Sequence, residues 1–184
     1  FSSIGGIRNT TTGNVFDVGL NNVSIAFGTI IENAIGGGGD DIITGNSVAN
    51  RLLGGGGNDR ILGMGGNDII DGGRGNDTMD GGTGIDTVSY ETSFEPIIRR
   101  PDLALRGDLF NDTLISIEAY ILTPFNDIFW AFAGNDVIDG FGGNDEISGQ
   151  EGNDRLTGGS GNDLLMGDAG NDTLIGGFGD DQLE

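Results

Sequence analysis

The sequence contains no cysteine, histidine or lysine, and these absences exclude several kinds of site. Without cysteine there is no disulfide framework, thiolate zinc site or cysteine nucleophile. Without histidine there is neither an HExxH zinc site nor a Ser-His-Asp triad. Without lysine a glycine-rich stretch cannot be a Walker A phosphate loop. We therefore predict that this chain has no catalytic activity of its own.

Positive charge is scarce as well. The 8 basic residues are all arginine and stand against 29 acidic ones, which gives a formal net charge of −21. Nucleic acid is excluded as a partner because phosphate binding depends on a basic face, whereas so acidic a surface attracts cations. A membrane span needs about 18 consecutive apolar residues, and no apolar run of this sequence approaches that length. No signal peptide is recognisable. Because the sequence begins with Phe1, we expect a piece of a larger protein.

Apolar side chains are few and glycine is abundant. Hydrophobic residues make up 35% of the chain and aromatic residues 7%, so little apolar area is available to offset the entropy of an ordered chain. Glycine contributes 38 of the 184 residues. On composition alone, the chain leans toward disorder.

A nine-residue repeat nevertheless dominates the sequence. Frames such as GGGGNDRIL (54–62) and GGSGNDLLM (158–166) follow one another over residues 36–89 and again over residues 122–184, thirteen in all. The sixth position is Asp in 12 of the 13 frames, with Asn50 as the exception, and the fourth is Gly in 11. The eighth is always Ile, Leu, Val, Met or Phe. Chance does not produce three such columns, so each frame is one structural unit.

Each column has a structural reason. Glycine at positions one, two and four permits positive φ and brings backbone carbonyls close together, and Asn or Asp at position five tolerates similar dihedrals. The end of each frame forms a short strand whose middle side chain points inward, and two successive frames make one coil. The sequence therefore predicts an all-β fold: a parallel β-roll, which is a right-handed solenoid of two sheets. The predicted inward residues are Ile43, Leu52, Ile61, Ile70, Met79, Val88, Phe129, Ile138, Ile147, Leu156, Leu165, Leu174 and Leu183.

The repeat divides the chain into four segments. Residues 1–35 lead into and cap the first roll, which comprises residues 36–89. Residues 90–121 form a connector, and residues 122–184 form the second roll. The connector is too short for an independent domain, but the alternation in DTLISIEAYI (112–121) predicts a strand or two.

The frames match GGxGxDxUx, in which U is apolar, and the chain resembles the RTX (hemolysin-type) β-roll domains of secreted bacterial proteins. The segments FSSIGG (1–6) and NVSIAFGTIIENAIGG (22–37) resemble the stretch that leads into the C-terminal β-roll of serralysin-type metalloproteases, although the zinc helix of that family is absent. The resemblance implies a secreted, extracellular bacterial protein that is exported by type I secretion machinery. It also implies another domain of the same protein upstream.

The GGxGxD loops offer backbone carbonyls and one carboxylate each, which are the hard oxygen ligands that Ca²⁺ binds six to eight at a time. Mg²⁺ fits poorly because it demands a tight octahedron and keeps its waters. One loop cannot complete the shell, so each ion needs two loops that stack on the same edge, two frames apart in the sequence. The resemblance implies that the ligands are the second and fourth carbonyls and the sixth-position side chain. Carried onto this sequence, the predicted ligands are Gly37, Gly39, Asp41, Asn50, Gly55, Gly57, Asp59, Gly66, Asp68, Gly73, Gly75, Asp77, Gly82, Gly84, Asp86, Asp127, Gly134, Asp136, Gly143, Asp145, Gly152, Asp154, Gly159, Gly161, Asp163, Gly170, Asp172, Gly177, Gly179 and Asp181.

The gaps between stacked loops set the expected stoichiometry. They number at most nine, and nine Ca²⁺ ions would offset most of the net charge of −21. Asn50 removes a charge from one loop, and LTPF (122–125) replaces the glycines of another, so we expect these two loops to bind most weakly.

The same features predict a folding switch. Without calcium the stacked aspartates repel one another and the thin core cannot compensate, so we expect a largely disordered chain. With calcium, binding free energy becomes folding free energy. Extracellular calcium modules bind at about 10⁻⁴–10⁻³ M, so the chain should stay unfolded inside the cell and fold after export.

Several residues outside the repeat carry separate predictions. Glu32 and Glu118 occupy equivalent places before the two repeat blocks. Each either caps a sheet edge or adds a calcium ligand, as the matching Glu does in serralysin-like sequences. We include Glu32 among the candidate ligands. Arg99, Arg100 and Pro101 form a basic cluster, which we interpret as a solvated loop near acidic neighbours; a processing or docking site is the alternative.

Apolar residues at unexpected positions suggest contacts beyond the repeat. Trp130 and Phe132 are not inward positions, so we expect them to be buried against the connector or the first roll; stacking on a sugar or a partner is the alternative. A face that packs on another domain is indicated by three outward apolar residues, Leu53, Leu62 and Met166.

The predicted function is thus a calcium-binding module that folds on export and supports the secretion of a larger protein. Two identities of that protein stay open. One is a secreted serralysin-like zinc metalloprotease with peptidase activity, which an HExxHxxGxxH segment upstream would establish. The other is a long RTX adhesin, which many further frames would favour. The opening segment tilts the choice toward the protease.

Overall fold

The computed structural model describes residues 32–100 and 112–184, together with the backbone of 14–16 and 23–24. These residues contain nineteen strands and no helix, and hence no helix of the length and apolarity needed to cross a membrane. Two compact units are formed: unit 1 comprises Phe1–Val88 and Asn111–Ile117, and unit 2 comprises Ser89–Phe110 and Glu118–Glu184. The predictions for FSSIGG and for Pro101 concern residues outside the described ranges.

Unit 1 contains two parallel sheets whose neighbouring strands come from successive coils. The strands of its first sheet are β1 (Asn14–Phe16), β3 (Asn33–Gly38), β5 (Arg51–Gly56), β7 (Ile69–Arg74) and β9 (Thr87–Ser89). The strands of its second sheet are β2 (Val23–Ser24), β4 (Ile42–Asn46), β6 (Arg60–Met64), β8 (Thr78–Asp80) and β11 (Thr113–Ile115).

Unit 2 likewise contains parallel strands of two sheets, again with neighbouring strands from successive coils. The strands of its first sheet are β12 (Ala119–Ile121), β14 (Val137–Asp139), β16 (Arg155–Ser160) and β18 (Thr173–Phe178). The strands of its second sheet are β10 (Ile98–Arg99), β13 (Ile128–Trp130), β15 (Glu146–Ser148), β17 (Leu164–Met166) and β19 (Gln182–Leu183). Each unit is a β-solenoid of stacked coils, which confirms the predicted all-β parallel roll.

The strand register follows the repeat. Leu52 pairs with Ile70 in unit 1, and Leu156 pairs with Leu174 in unit 2, so two frames make one coil. Several strands are longer than the short strand that the frame predicts, because pairing continues into the glycines; Gly37, for example, pairs with Gly55.

The core is the column of eighth-position side chains. Those from Ile43 to Val88 and from Phe129 to Leu165 are at most 1% exposed. Leu174 and Leu183 continue the column in register with Leu156 and Leu165, but Leu174 is half-buried and Leu183 is 50% exposed.

The segment between the two repeat blocks contributes strands to both units. β11 pairs with β8 in unit 1, whereas β12 pairs with β14 and β10 pairs with β13 in unit 2. Arg99 therefore lies on a strand, half-buried, and the predicted solvated loop is wrong for this residue. Arg100 does have an acidic neighbour, Glu146, at 2.9 Å. Trp130 is half-buried, but Phe132 is 40% exposed, so its predicted burial is wrong.

Candidate calcium sites at the edges of the rolls

The sixth-position aspartates are buried beneath the loops at the roll edges. Ten of them are at most 5% exposed: Asp41, Asp59, Asp68, Asp77, Asp86, Asp127, Asp136, Asp145, Asp154 and Asp163. Asp172 and Asp181, on the last coils, are half-buried. Carboxylates are rarely buried unless something compensates their charge, so each of these side chains requires a partner.

One carboxylate oxygen finds its partner in the neighbouring coil. Asp59 Oδ1 accepts the backbone N–H of Asp41 at 2.7 Å, and Asp145 Oδ1 accepts that of Asp127 at 2.8 Å. In both pairs the donor lies one coil earlier in the chain. The sixth-position side chain thus fixes the backbone of the preceding coil.

The other oxygen has no such partner in a large part of the set. Among the buried atoms without a hydrogen-bond partner are the Oδ2 atoms of Asp59, Asp68, Asp136, Asp145, Asp154 and Asp163. An unsatisfied buried carboxylate oxygen is costly. Because a buried Oδ2 atom without a hydrogen-bond partner recurs in successive coils, these oxygens are indicated as the binding atoms for a ligand.

The electrostatics point the same way. Burial raises the pKa of Asp59 and of Asp68 to about 6, and the backbone hydrogen bond that each accepts lowers it only in part. Burial likewise raises the pKa of Asp136 to about 6 and that of Asp145 to about 8, and the charge of the aspartate in the next coil adds to both. Without a cation, the fold therefore disfavours the charged form of these groups.

First-position glycines make room for the carboxylates. A Cβ on Gly54 would collide with Asp59 Oδ2 and lie 2.5 Å from the carbonyl oxygen of Gly72 in the next coil. A Cβ on Gly140 would meet Asp145 Oδ2 at 2.6 Å and the corresponding next-coil carbonyl oxygen at 2.5 Å. A carboxylate oxygen and a carbonyl oxygen of the next coil therefore converge beside each glycine. The first-position carbonyls were not among the predicted ligands.

Second- and fourth-position residues supply the loop carbonyls. Gly73 has φ 86° and Gly57 has φ 121°, and a Cβ at either would collide with the carbonyl of the equivalent glycine one coil earlier. These close approaches direct carbonyl oxygens from one loop toward the next.

Seven of the thirteen second-position residues are not glycine, and the four of them that have positive φ were missed in the ligand prediction. Met64, Phe141, Gln150 and Asp168 have φ between 63° and 78°, a region that costs a residue with a Cβ conformational energy. Their carbonyls belong to the same column as those of Gly55 and its equivalents. Alignment by column rather than by residue type would have found them.

Asp112 was also missed, although it acts as a sixth-position residue. Its Oδ1 accepts the backbone N–H of Asp77 at 2.9 Å, and β11 follows it immediately, in register with β8. The local sequence NDTLI (111–115) is the second half of a frame. The signal was present, but the residues before it lack the glycine pattern.

The two loops predicted to bind weakly differ from the others. Asn50 Oδ1 accepts the backbone N–H of Asn46 at 2.9 Å and carries no charge. Asp127 has both oxygens engaged, because Oδ2 accepts the N–H of Thr123 at 2.8 Å and Oδ1 that of Ile97 at 2.6 Å.

Glu32 contributes its backbone to the sheet. Its carbonyl accepts the N–H of Arg51 at 2.7 Å, while its side chain is exposed. Its role as a calcium ligand stays a prediction.

Calcium fits this set of donors. All the donor atoms are oxygens, most of them backbone carbonyls, which is the chemistry that Ca²⁺ prefers and that soft or nitrogen-preferring metals do not. Within the described ranges, no three acidic side chains form a cluster that could hold a metal ion. The carbonyls of two stacked loops must therefore provide much of any coordination shell.

Comparison with known families agrees with this chemistry. The family model described as RTX calcium-binding nonapeptide repeat matches in four copies, at residues 31–61, 53–88, 123–156 and 148–183. A comparison with curated proteins finds no match. The four copies span more than half of the chain and coincide with the frames whose aspartates are buried at the roll edges. The chain belongs to the RTX calcium-binding nonapeptide repeat family, and its repeats form a calcium-binding β-roll.

Proposed function

We propose that this chain is a non-catalytic module that folds when it binds calcium outside the cell. The observation that carries the proposal is the row of buried Oδ2 atoms without a hydrogen-bond partner, of which Asp59 and Asp145 are examples. A divalent cation between stacked loops would satisfy these oxygens and offset their mutual repulsion. The free energy of binding would then become free energy of folding.

Charge supports the same conclusion. The formal net charge is −21, and the core consists mainly of one apolar side chain per frame. So thin a core gains little from the hydrophobic effect, while the aspartates must lose their hydration. Calcium supplies the missing attraction, so its removal should unfold much of the chain.

We propose a ligand set for each ion that combines the sixth-position carboxylate with loop carbonyls. The predicted second- and fourth-position carbonyls are extended by the first-position carbonyls and by those of Met64, Phe141, Gln150 and Asp168. Up to nine ions can be accommodated between stacked loops, and the loops of Asn50 and Asp127 bind most weakly.

Ion counting tests this proposal. The full chain is dialysed to equilibrium against millimolar calcium, and bound metal is measured by atomic emission, with magnesium as the control. We expect several calcium ions and little magnesium to bind per chain, because the carbonyl-rich sites do not provide the tight octahedral coordination that Mg²⁺ requires. Binding of one or no calcium ion, or of equal amounts of both metals, would overturn the proposal.

We further propose that the module serves export of a larger secreted bacterial protein by the type I route, in which an unfolded chain is threaded through the exporter. Limited proteolysis tests the physical requirement. The chain should be cut rapidly at the micromolar or lower calcium level of the cytosol and resist cutting at millimolar calcium. Equal resistance at both levels would remove the argument for export. The gene upstream of Phe1 decides between a metalloprotease and an adhesin as the parent.

A further inference from the structure

The coil at the start of the second sheet of unit 2 departs from the repeat chemistry. Leu122 stands where a frame has its first glycine, and Ile97 occupies the place that a sixth-position aspartate has in other coils, since the Ile97 N–H donates to Asp127 Oδ1 at 2.6 Å. Both side chains are fully buried. A buried apolar side chain therefore takes the place of the first-position glycine in this coil, and another takes the place of the aspartate one coil earlier.

Asp127, which is 1% exposed, has protein donors on both oxygens. Thr123 is fully buried beside it; its N–H donates to Oδ2 at 2.8 Å, and its Oγ1 lies 2.9 Å from Oδ1. Thr123 Oγ1 in turn accepts the N–H of Phe125 at 3.1 Å, so its hydroxyl proton is available to Asp127. In the next coil, by contrast, Asp145 Oδ2 is buried without a partner.

A side-chain cation completes the same coil. Arg99 Nη1 donates to the carbonyl of Ala131 at 2.9 Å, and Ala131 is the first residue of its frame. The Arg99 guanidinium lies 3.6 Å from the centre of the Phe132 ring, and Tyr120 packs on Phe129 with ring centroids 5.1 Å apart. Stacked guanidinium and aromatic groups add attraction that requires no metal.

An ion pair connects this cluster to β15 of the next coil. Arg100 Nη1 donates to Glu146 Oε1 at 2.9 Å, and its guanidinium lies 5.6 Å from the centre of the Trp130 ring. Trp130 is the single tryptophan of the chain. Its fluorescence therefore reports on this coil and on its contact with Glu146 of β15, whose Oε1 accepts the Trp130 Nε1–H at 3.4 Å.

We propose that this coil, formed by residues 97–100 and 119–132 and here called the connector coil, is held together by protein contacts in place of calcium and remains folded when calcium is removed. Thr123 stands in for the ion at Asp127, and Arg99 supplies a cation at Ala131. The connector coil is then the preformed end on which the calcium-dependent coils of unit 2 stack. This inference rests on the proposed function, because it distinguishes one metal-independent coil from metal-dependent neighbours.

Hydrogen exchange of the full chain in excess chelator, measured by mass spectrometry, tests the inference. Peptides from the connector coil should exchange at least about tenfold more slowly than those from residues 158–175, because local opening costs more where structure persists. Trp130 emission should stay blue-shifted in chelator and move to the red only in denaturant. Fast exchange in both regions would overturn the inference alone. Slow exchange in both would overturn the proposed function, since the calcium-dependent coils would be folded without metal.

Matched variants test the role of Thr123. Thr123→Val keeps the shape of the side chain and removes the hydroxyl, and it should abolish the slow exchange of the connector coil in chelator. Thr123→Ser keeps the hydroxyl and should preserve the slow exchange. Thr157→Val, which makes the Thr-to-Val change on β16, should preserve it as well. All three should fold normally at millimolar calcium by circular dichroism. Persistence of slow exchange in Thr123→Val, or its loss in Thr123→Ser, would contradict the assignment of Thr123.

Discussion

Asp59 accepts the backbone N–H of Asp41, one coil earlier in the chain, through Oδ1 at 2.7 Å. One position before them the direction is reversed, because the backbone N–H of Asn58 donates to Asp40 Oδ1 at 2.7 Å. Sixth-position side chains therefore hold the preceding coil, and fifth-position side chains hold the following one. Since the first bond uses a single carboxylate oxygen, it leaves the second oxygen of Asp59 for a metal.

Removal of one buried charge should weaken calcium binding locally. Asp59→Asn keeps an oxygen acceptor for Asp41 but removes the anionic ligand, so the midpoint of calcium-induced folding should rise by at least roughly tenfold, the loss that even a supporting group in a metal site causes. The matched control is Asp40→Asn, which makes the same change at an exposed fifth position. The calcium midpoints of both variants are measured by far-UV circular dichroism. An equal rise of the midpoint in both would show that the loss of net negative charge is responsible, rather than the loss of a ligand from one site.

A methyl group beside the buried Asp59 carboxylate should destabilise unit 1. Gly54→Ala places a Cβ against Asp59 Oδ2 and the Gly72 carbonyl, whereas a Cβ on Gly56 in the same loop meets nothing within 4 Å. Overpacking of this kind costs about 1–3 kcal/mol, so Gly54→Ala should lower the Tm in calcium by about 5 °C or more. Gly56→Ala should leave the Tm nearly unchanged. An equal decrease of the Tm in both variants, measured by differential scanning calorimetry, would show that Gly54 is not needed to make room for the Asp59 carboxylate.

Relief of backbone strain should stabilise the roll. Met64 has φ 78° and is 56% exposed, so its side chain offers little packing to offset the strained backbone. Met64→Gly should raise the free energy of unfolding in calcium by about 1 kcal/mol, while Met64→Ala, which keeps the strain, should not. Chemical denaturation measures both; a loss of stability in Met64→Gly would mean that the side chain contributes more than its exposure indicates.

Acid should partly replace calcium. Burial raises the pKa of Asp59, Asp68 and Asp136 to about 6 and that of Asp145 to about 8, from an ordinary value of 3.8. Because the pKa is higher in the fold, the neutral form stabilises it; that stability is complete below the ordinary value and is lost as pH rises through 6 and 8.

In chelator, β structure should therefore increase as the pH is lowered from 8 to 5, and the calcium midpoint should rise as protons compete for the carboxylates. Far-UV circular dichroism at several pH values measures both effects. A metal-free chain that loses β signal on acidification would contradict the assignment of the buried aspartates.

The repeat made much of the architecture predictable. An apolar residue at the same place in every frame put Leu52 and Ile70 in one column, and the two-frame coil follows from the length of the frame. The same pattern identified the aspartates that the structure buries. Spacing alone could not give the direction of the hydrogen bonds, because an interval of two frames is the same forward and backward.

Departures from the repeat were not predictable in the same way. Asp112 does not lie a whole number of frames after Asp77, although its side chain accepts the Asp77 N–H, so only the folded chain brings it into the aspartate column. Thr123 was recognised as a lost glycine, but its hydrogen bonds to Asp127 depend on the conformation of the loop. Arg99 joins β13 through a strand too short to leave a sequence pattern.

A calcium titration followed by far-UV circular dichroism tests the central claim most directly. The metal-free chain should show little β signal beyond that of the connector coil, gain it cooperatively near millimolar calcium, fail to gain it with magnesium, and lose it again in chelator. A chain that is fully folded in chelator would contradict the account, since the buried aspartates would then need no metal to be stable.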